Sequence, residues 1–255
     1  MPEQPERVCQ IAEYFGTHSS VVAVALAGSR AAASHDRNSD FDLYVYATAE
    51  IPIEFRRALA GPAAEIDNRF WEPGDEWIDA VSGAHFDVMF RAPSWIEDQL
   101  NRVLVRHEAS IGYSTCFWYN VLHSEALYDP QGWYARLQER AQVPYPEELQ
   151  RAIVAKNWPI LRKNHSSYRR QIELALERGD PVSVHHRTTA VLASYFDICL
   201  ALARRPHPGE KRLLQHLPES HAVLVRALIE APPAELLRRL DALLDSLDSM
   251  LTGFS

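Results

Sequence analysis

The sequence predicts an α+β protein, with a mixed-sheet domain over residues 1–110 followed by an all-α helical-bundle domain over 111–255. Three observations predict it. Short β-branched or alternating runs, the signature of strands, end near residue 90. From residue 146 onward the apolar residues recur at helical spacing in long stretches. The charge also changes: residues 1–100 carry 7 Lys/Arg against 17 Asp/Glu, residues 101–255 carry 19 against 17. At 255 residues the chain is long enough for one or two cores.

The elements follow in order. Residues 5–17 space their apolar side chains as a helix that covers a sheet. The run 21–27 (VVAVALA) is short and β-branched, a buried strand ending in Gly28-Ser29. Asp40-Phe41-Asp42 opens a second strand, in which period two places Asp40 and Asp42 on one face and Phe41, Leu43 and Val45 on the other. A short helix starts at Pro52, 64–71 reads as a strand, and Glu72-Pro73-Gly74-Asp75 reads as a turn. In 83–90 the alternation puts His85, Asp87 and Met89 opposite Phe86, Val88 and Phe90.

A helix follows from Pro93 to about Val105, then an aromatic-rich connector whose Asp129-Pro130 marks a turn before another helix. Residues 146–178 read as one long helix kinked at Pro159, since proline removes an interior hydrogen bond. Gly179-Asp180-Pro181 combines a stop, an N-cap and a first-turn proline for a helix to about Arg204. Shorter helices at 210–217 and 220–230 precede a last amphipathic one, 233–251.

Composition removes several classes of function. No apolar run approaches the length of a membrane span, and the polar N-terminus MPEQPERV lacks the features of a signal peptide, so a cytoplasmic location is expected. Cys9, Cys116 and Cys199 are too far apart in sequence for a CxxC zinc motif or a disulfide framework. The adjacent His185-His186 point in different directions on a helix and lack a third ligand, which argues against zinc. With a net charge of −8 and no basic stripe, an extended nucleic-acid footprint is not expected.

What remains is chemistry of carboxylates. Two acids side by side on one strand face repel each other, and such a pair calls for a cation. The Gly28-Ser29 turn offers backbone N–H groups and a hydroxyl to a phosphate. Asp87 adds a third acid on a later strand. Asp67, Asp79 and Glu65 compete with it for that place, because each could lie on an adjacent strand.

Gly28-Ser29, a ten-residue spacer, Asp40-Phe41-Asp42-Leu43 and the later Asp87 resemble the pattern of the polymerase-β-like nucleotidyltransferases. The segment GSRAAASHDRNSDFDL is similar to small bacterial members that modify antibiotics, tRNA or proteins. GYSTCFWYN, RGDPV and RPHPGEKRLL resemble the helical domain of a poorly characterised group of them. The chain departs from the pattern at Ala32 and Ala33, where many relatives carry glycine.

The resemblance implies a Mg²⁺-dependent transfer of a nucleoside monophosphate, AMP from ATP, to a hydroxyl acceptor with release of pyrophosphate. Asp40, Asp42 and Asp87 would hold a pair of Mg²⁺ ions, and Asp87 would also take the acceptor's proton. Gly28, Ser29 and Arg30 would meet the triphosphate. Lys156 and Lys211, two of only three lysines in the chain, are further phosphate candidates. Acidity concentrated in the first half suits a cationic small acceptor, such as an aminoglycoside-like compound. A protein or tRNA acceptor, or a silent nucleotide-binding or antitoxin-like module, are the alternatives. Trp118, Tyr119 and Tyr195 could stack on a base, or serve as core of the bundle.

Overall fold

The computed structural model describes residues 4–28, 40–70, 72–252 and 254. It is an α+β protein that divides into two compact units. The first comprises 1–101 and 117–143, the second 102–116 and 144–255, so the chain passes between them three times.

The first unit contains a six-stranded mixed sheet in the order β3-β4-β5-β2-β1-β6. Its strands are β1 (Val21–Leu26), β2 (Phe41–Ala47), β3 (Glu65–Asn68), β4 (Gly74–Ile78), β5 (His85–Arg91) and β6 (Glu125–Tyr128). Only β2 and β5, at its centre, pair in parallel; the other four pairings are antiparallel. Around them run α1 (Gln4–Gly16), α2 (Ile53–Ala60), α3 (Pro93–Leu104), α4 (Cys116–His123) and α5 (Trp133–Ala141).

One sheet face is a hydrophobic core. Phe41, Leu43, Val45, Phe86 and Val88 pack there with Val8, Ile11 and Phe15 of α1, all nearly inaccessible to water. Phe86 stacks between Phe41 and Trp77, with ring centroids 5.0 and 5.4 Å away. This aromatic layer sets the register of β4, β5 and β2, because a one-residue slip would turn every ring to the other face. On that other face Ala23 and Ala25 lie opposite Tyr46 and Tyr44, small against large across β1 and β2. Arg91 completes that half of the face: its guanidinium lies 3.9 Å from the Tyr44 ring centroid and pairs with Glu72 at 2.6 and 2.9 Å.

The second unit is helical: α6 (Glu147–Trp158), a π-turn (Pro159–Lys163), α7 (Tyr168–Glu177), α8 (Pro181–Leu202), a short 3₁₀ turn (Leu213–His216), α9 (Glu219–Ile229) and α10 (Pro233–Leu251). Leu236, Leu240, Leu243, Leu244, Leu247 and Leu251 of α10 pack in one cluster with Val191, Tyr195, Ile198 and Cys199 of α8. Asp180 caps α8 by accepting from Ser183 N at 3.0 Å, as the Gly-Asp-Pro signal predicts. Among the described residues no helix is long and apolar enough to cross a membrane.

Four features depart from the sequence reading. The turn expected at 72–75 instead leads into β4, whose first residue, Gly74, could carry no side chain, since a β-carbon there would fall 2.8 Å from Val88 O. The expected 64–71 strand is shorter, because Asp67 adopts a left-handed φ of 64° and bulges its pairing with β4. The connector contains a helix, α4, and an edge strand, β6, too short and too polar to announce itself. The long helix expected over 146–178 does not kink at Pro159; it ends there in a π-turn, and Ser167 caps a new helix.

Candidate functional site: a row of acids on the central strands

Asp42 and Asp87 are register partners on the adjacent parallel strands β2 and β5. Register partners in a sheet point to the same face, so the two carboxylates stand side by side. Asp87 is in turn opposite Glu76 on β4, and Glu76 is opposite Glu65 on β3. Four acids thus occupy one lateral row across four neighbouring strands. Asp42, Asp87 and Glu76 are half-buried, whereas Glu65 is exposed.

His85 spans this row. Its Nδ1 lies 2.8 Å from Asp40 Oδ1 and its Nε2 lies 2.8 Å from Glu76 Oε1. With a carboxylate at each ring nitrogen, the doubly protonated form of the ring is favoured. Partial burial opposes that charge, but the bonds to Asp40 and Glu76 prevail and raise the imidazole pKa. Asp87 is pushed above the usual carboxylate range, first by burial and then by Glu76, with Asp40 and Glu72 adding to the effect and His85 opposing it. The part of that shift owed to Glu76, Asp40 and Glu72 reflects negative potential, which attracts other cations as well as the proton.

Beside the row, the end of β1 is shaped around Asp42. Ala27 N donates to Asp42 O at 2.8 Å, and Gly28 then turns with a φ of 68°. A β-carbon at Gly28 would fall 1.7 Å from Asp42 Oδ2, so the carboxylate occupies the space where any other residue would have a side chain. Ser29 and Arg30, and the departures at Ala32 and Ala33, lie outside the described residues.

The remaining predicted residues fall elsewhere. Asp79 is buried and serves the fold: Arg7 Nε and Nη2 donate to it at 2.8–3.1 Å, as do Ser82 N and Oγ at 2.8 Å. Asp67 is chelated by Arg69 at 3.0 Å through both oxygens. Glu65 ends the row. Lys156, on α6, and Lys211, before the 3₁₀ turn, are exposed residues of the helical unit. Trp118 and Tyr195 are core side chains, and Tyr119 stacks on His123 with ring centroids 3.8 Å apart.

Among the described residues no group of three or more His, Cys, Asp and Glu side chains is arranged as a metal site. A smaller donor set suffices for Mg²⁺, which is commonly held by one or two carboxylates plus water and substrate phosphates. The Asp42–Asp87 pair fits that requirement.

The sequence reading did not give Glu76 or His85 a role. Glu76 directly follows the expected Glu72-Pro73-Gly74-Asp75 turn and falls in no expected strand. His85 was visible on the Asp87 face, and only the β2–β5 register brings it to Asp40.

No family model matches the chain, and neither does any curated protein. Among solved structures the chain is similar to a nucleotidyltransferase-like protein from Exiguobacterium sibiricum 255-15, with 11% identity and a TM-score of 0.47, over 94% of this chain and 74% of the other.

Proposed function

We propose that the protein is a Mg²⁺-dependent nucleotidyltransferase that moves AMP from ATP to a hydroxyl-bearing acceptor. The observation that carries this reading is the pairing of Asp42 with Asp87 in register on two parallel strands, beside a glycine turn moulded to Asp42. Mg²⁺, when bound, supplies positive charge to the triphosphate oxygens as bonding to the α-phosphorus changes.

The chain's own residues do the rest. Asp42 is fixed by Gly28, and it and Asp87 are the ligands offered to the cation. Asp87, whose proton affinity is raised, accepts the proton of the acceptor hydroxyl. Asp40 is held by His85 and contributes negative charge at the edge of the site. The Gly28 turn lies on the β1 side of the pair and Glu76 on the β4 side, which supports an arrangement with the triphosphate toward β1 and the acceptor toward β4. An acceptor approaching a row of carboxylates is favoured if it carries amines, as an aminoglycoside-like compound does.

A second reading, a nucleotide-binding module without turnover, is favoured by one observation: His85 already engages Asp40, one of the three expected ligands. Pyrophosphate release from ATP with Mg²⁺ and a panel of amine-bearing and neutral polyols separates the two. Release that depends on an acceptor and disappears in Asp42→Asn supports the transferase. ATP binding without release under every condition supports the module, and release unchanged in Asp42→Asn overturns the assignment of the pair.

A further inference from the structure

At the opposite end of β2 and β5 from the acid row, the sheet unit holds a cavity of about 330 Å³. That volume is in the range of small-molecule sites. Five residue steps of β2 run from Asp42 to Ala47 at its edge, about 16 Å at the usual rise, so it is separate from the Asp42–Asp87 pair. Phe90, Ile51 and Pro73 give it an apolar wall, and Arg56, Arg69 and Arg91 outnumber the acids Glu50 and Asp67 in its lining.

Arg56 is the unusual member. Its side chain is 3% exposed, and its guanidinium lies 4.8 Å from the centroid of the Phe90 ring. Nε donates to Ile51 O at 3.1 Å and Nη1 to Asp75 Oδ1 at 2.6 Å. Nη2 forms an ion pair with Asp67 Oδ1 at 3.6 Å. A buried guanidinium whose third nitrogen is held by a long ion pair can donate a shorter bond to an anion in the cavity, and Arg91 Nη1, buried with no hydrogen-bond partner among the described residues, belongs to the same lining.

Asp67 half-fills that role. Its backbone is in the left-handed region at a φ of 64°, a costly conformation for a residue with a side chain. The outcome is a carboxylate set between two guanidinium groups, bonded to Arg69 and paired at longer range with Arg56.

We propose that this cavity is a second ligand site, for a compact, largely apolar molecule bearing one carboxylate or phosphate group. The anionic group takes the place of Asp67 between Arg56 Nη2 and Arg69, and the apolar body lies against Phe90. The site does not depend on the transferase reading.

Isothermal titration of the full chain with benzoate, phenyl phosphate and, as the uncharged counterpart, benzyl alcohol tests it. Saturable binding of at least one anion is expected, without binding of the alcohol, and the stronger of the two anions identifies the head group. Arg69 is exposed and glycine adopts the left-handed backbone of position 67 without strain, so both variants should fold. Arg69→Gln is expected to weaken binding about fivefold, the loss of one charge-assisted contact, and Asp67→Gly to strengthen it about threefold. No saturation by either anion up to about 20 mM overturns the proposal, that concentration marking affinities too weak for a built site. Affinity unchanged by both substitutions, or equal for benzyl alcohol, overturns it as well.

Discussion

Gly28 and Asp42 interlock: the carboxylate of one fills the space that a side chain on the other would need, with Oδ2 1.7 Å from the position of a β-carbon. Gly28→Ala must therefore move Asp42 as well as strain a backbone at a φ of 68°. The strain alone costs about 1–2 kcal/mol. On the proposed function, displacing Asp42 by about an ångström costs about a hundredfold in rate. Thermal melts and pyrophosphate release measured together should show a modest loss of stability and a much larger loss of turnover.

The two central carboxylates should respond alike in activity and differently from ordinary buried acids in stability. Asp42→Asn and Asp87→Asn are each expected to lower turnover about a thousandfold, the scale of losing a key electrostatic group in an active site. Asp87→Asn removes a charge that burial and Glu76 oppose, so its melting temperature should stay level or rise. A melting temperature that falls sharply for Asp87→Asn would mean that the carboxylate serves the fold.

Asp79 provides the opposite case. Arg7 and Ser82 saturate its oxygens, tying α1 to the turn between β4 and β5. Removing one partner of such a buried pair costs about 3 kcal/mol. Asp79→Ala should shift the urea midpoint accordingly, while the turnover of the fraction that remains folded is unchanged.

In the helical unit, Asp197 makes stability depend on pH. Burial raises its pKa to about 6, against the lowering influence of bonds from Ser114 Oγ and Ser114 N at 2.6 and 3.0 Å. The folded value lies above the unfolded one, so this carboxyl stabilises the fold fully below the unfolded pKa of about 4 and loses that contribution as pH rises through 6. Urea unfolding of wild type and Asp197→Asn between pH 4 and 8 isolates it. The wild type should lose stability relative to the variant by about 2–3 kcal/mol across that window.

The residues show why some of this was legible and some was not. β1, β2 and β5 are read directly, because their apolar alternation reports a local property, which side of a strand faces the core. The same alternation places Asp42 and Asp87 on one kind of face, though their pairing depends on β2 and β5 being parallel neighbours. His85 and Glu76 escape because their partners are fixed by the register of three strands, a tertiary fact with no local trace. β4 escapes because Pro73-Gly74 signals a turn so strongly, and Gly74 is in fact required by the close approach of Val88 O. β6 gains its strand character from pairing with β1 rather than from its own residues.

That last pairing governs how the chain can be cut. β6 lies beyond a fifteen-residue excursion, 102–116, that belongs to the other compact unit, yet it covers the outer edge of β1 at Val24, Ala25 and Leu26. A polypeptide stopped near residue 110 would keep five strands and both central aspartates while leaving β1 with open hydrogen-bonding groups along an apolar edge, an invitation to pair with another copy. Insolubility of such a fragment would therefore report a missing neighbour for β1, whereas a circular permutant that retains residues 117–143 would keep that edge closed.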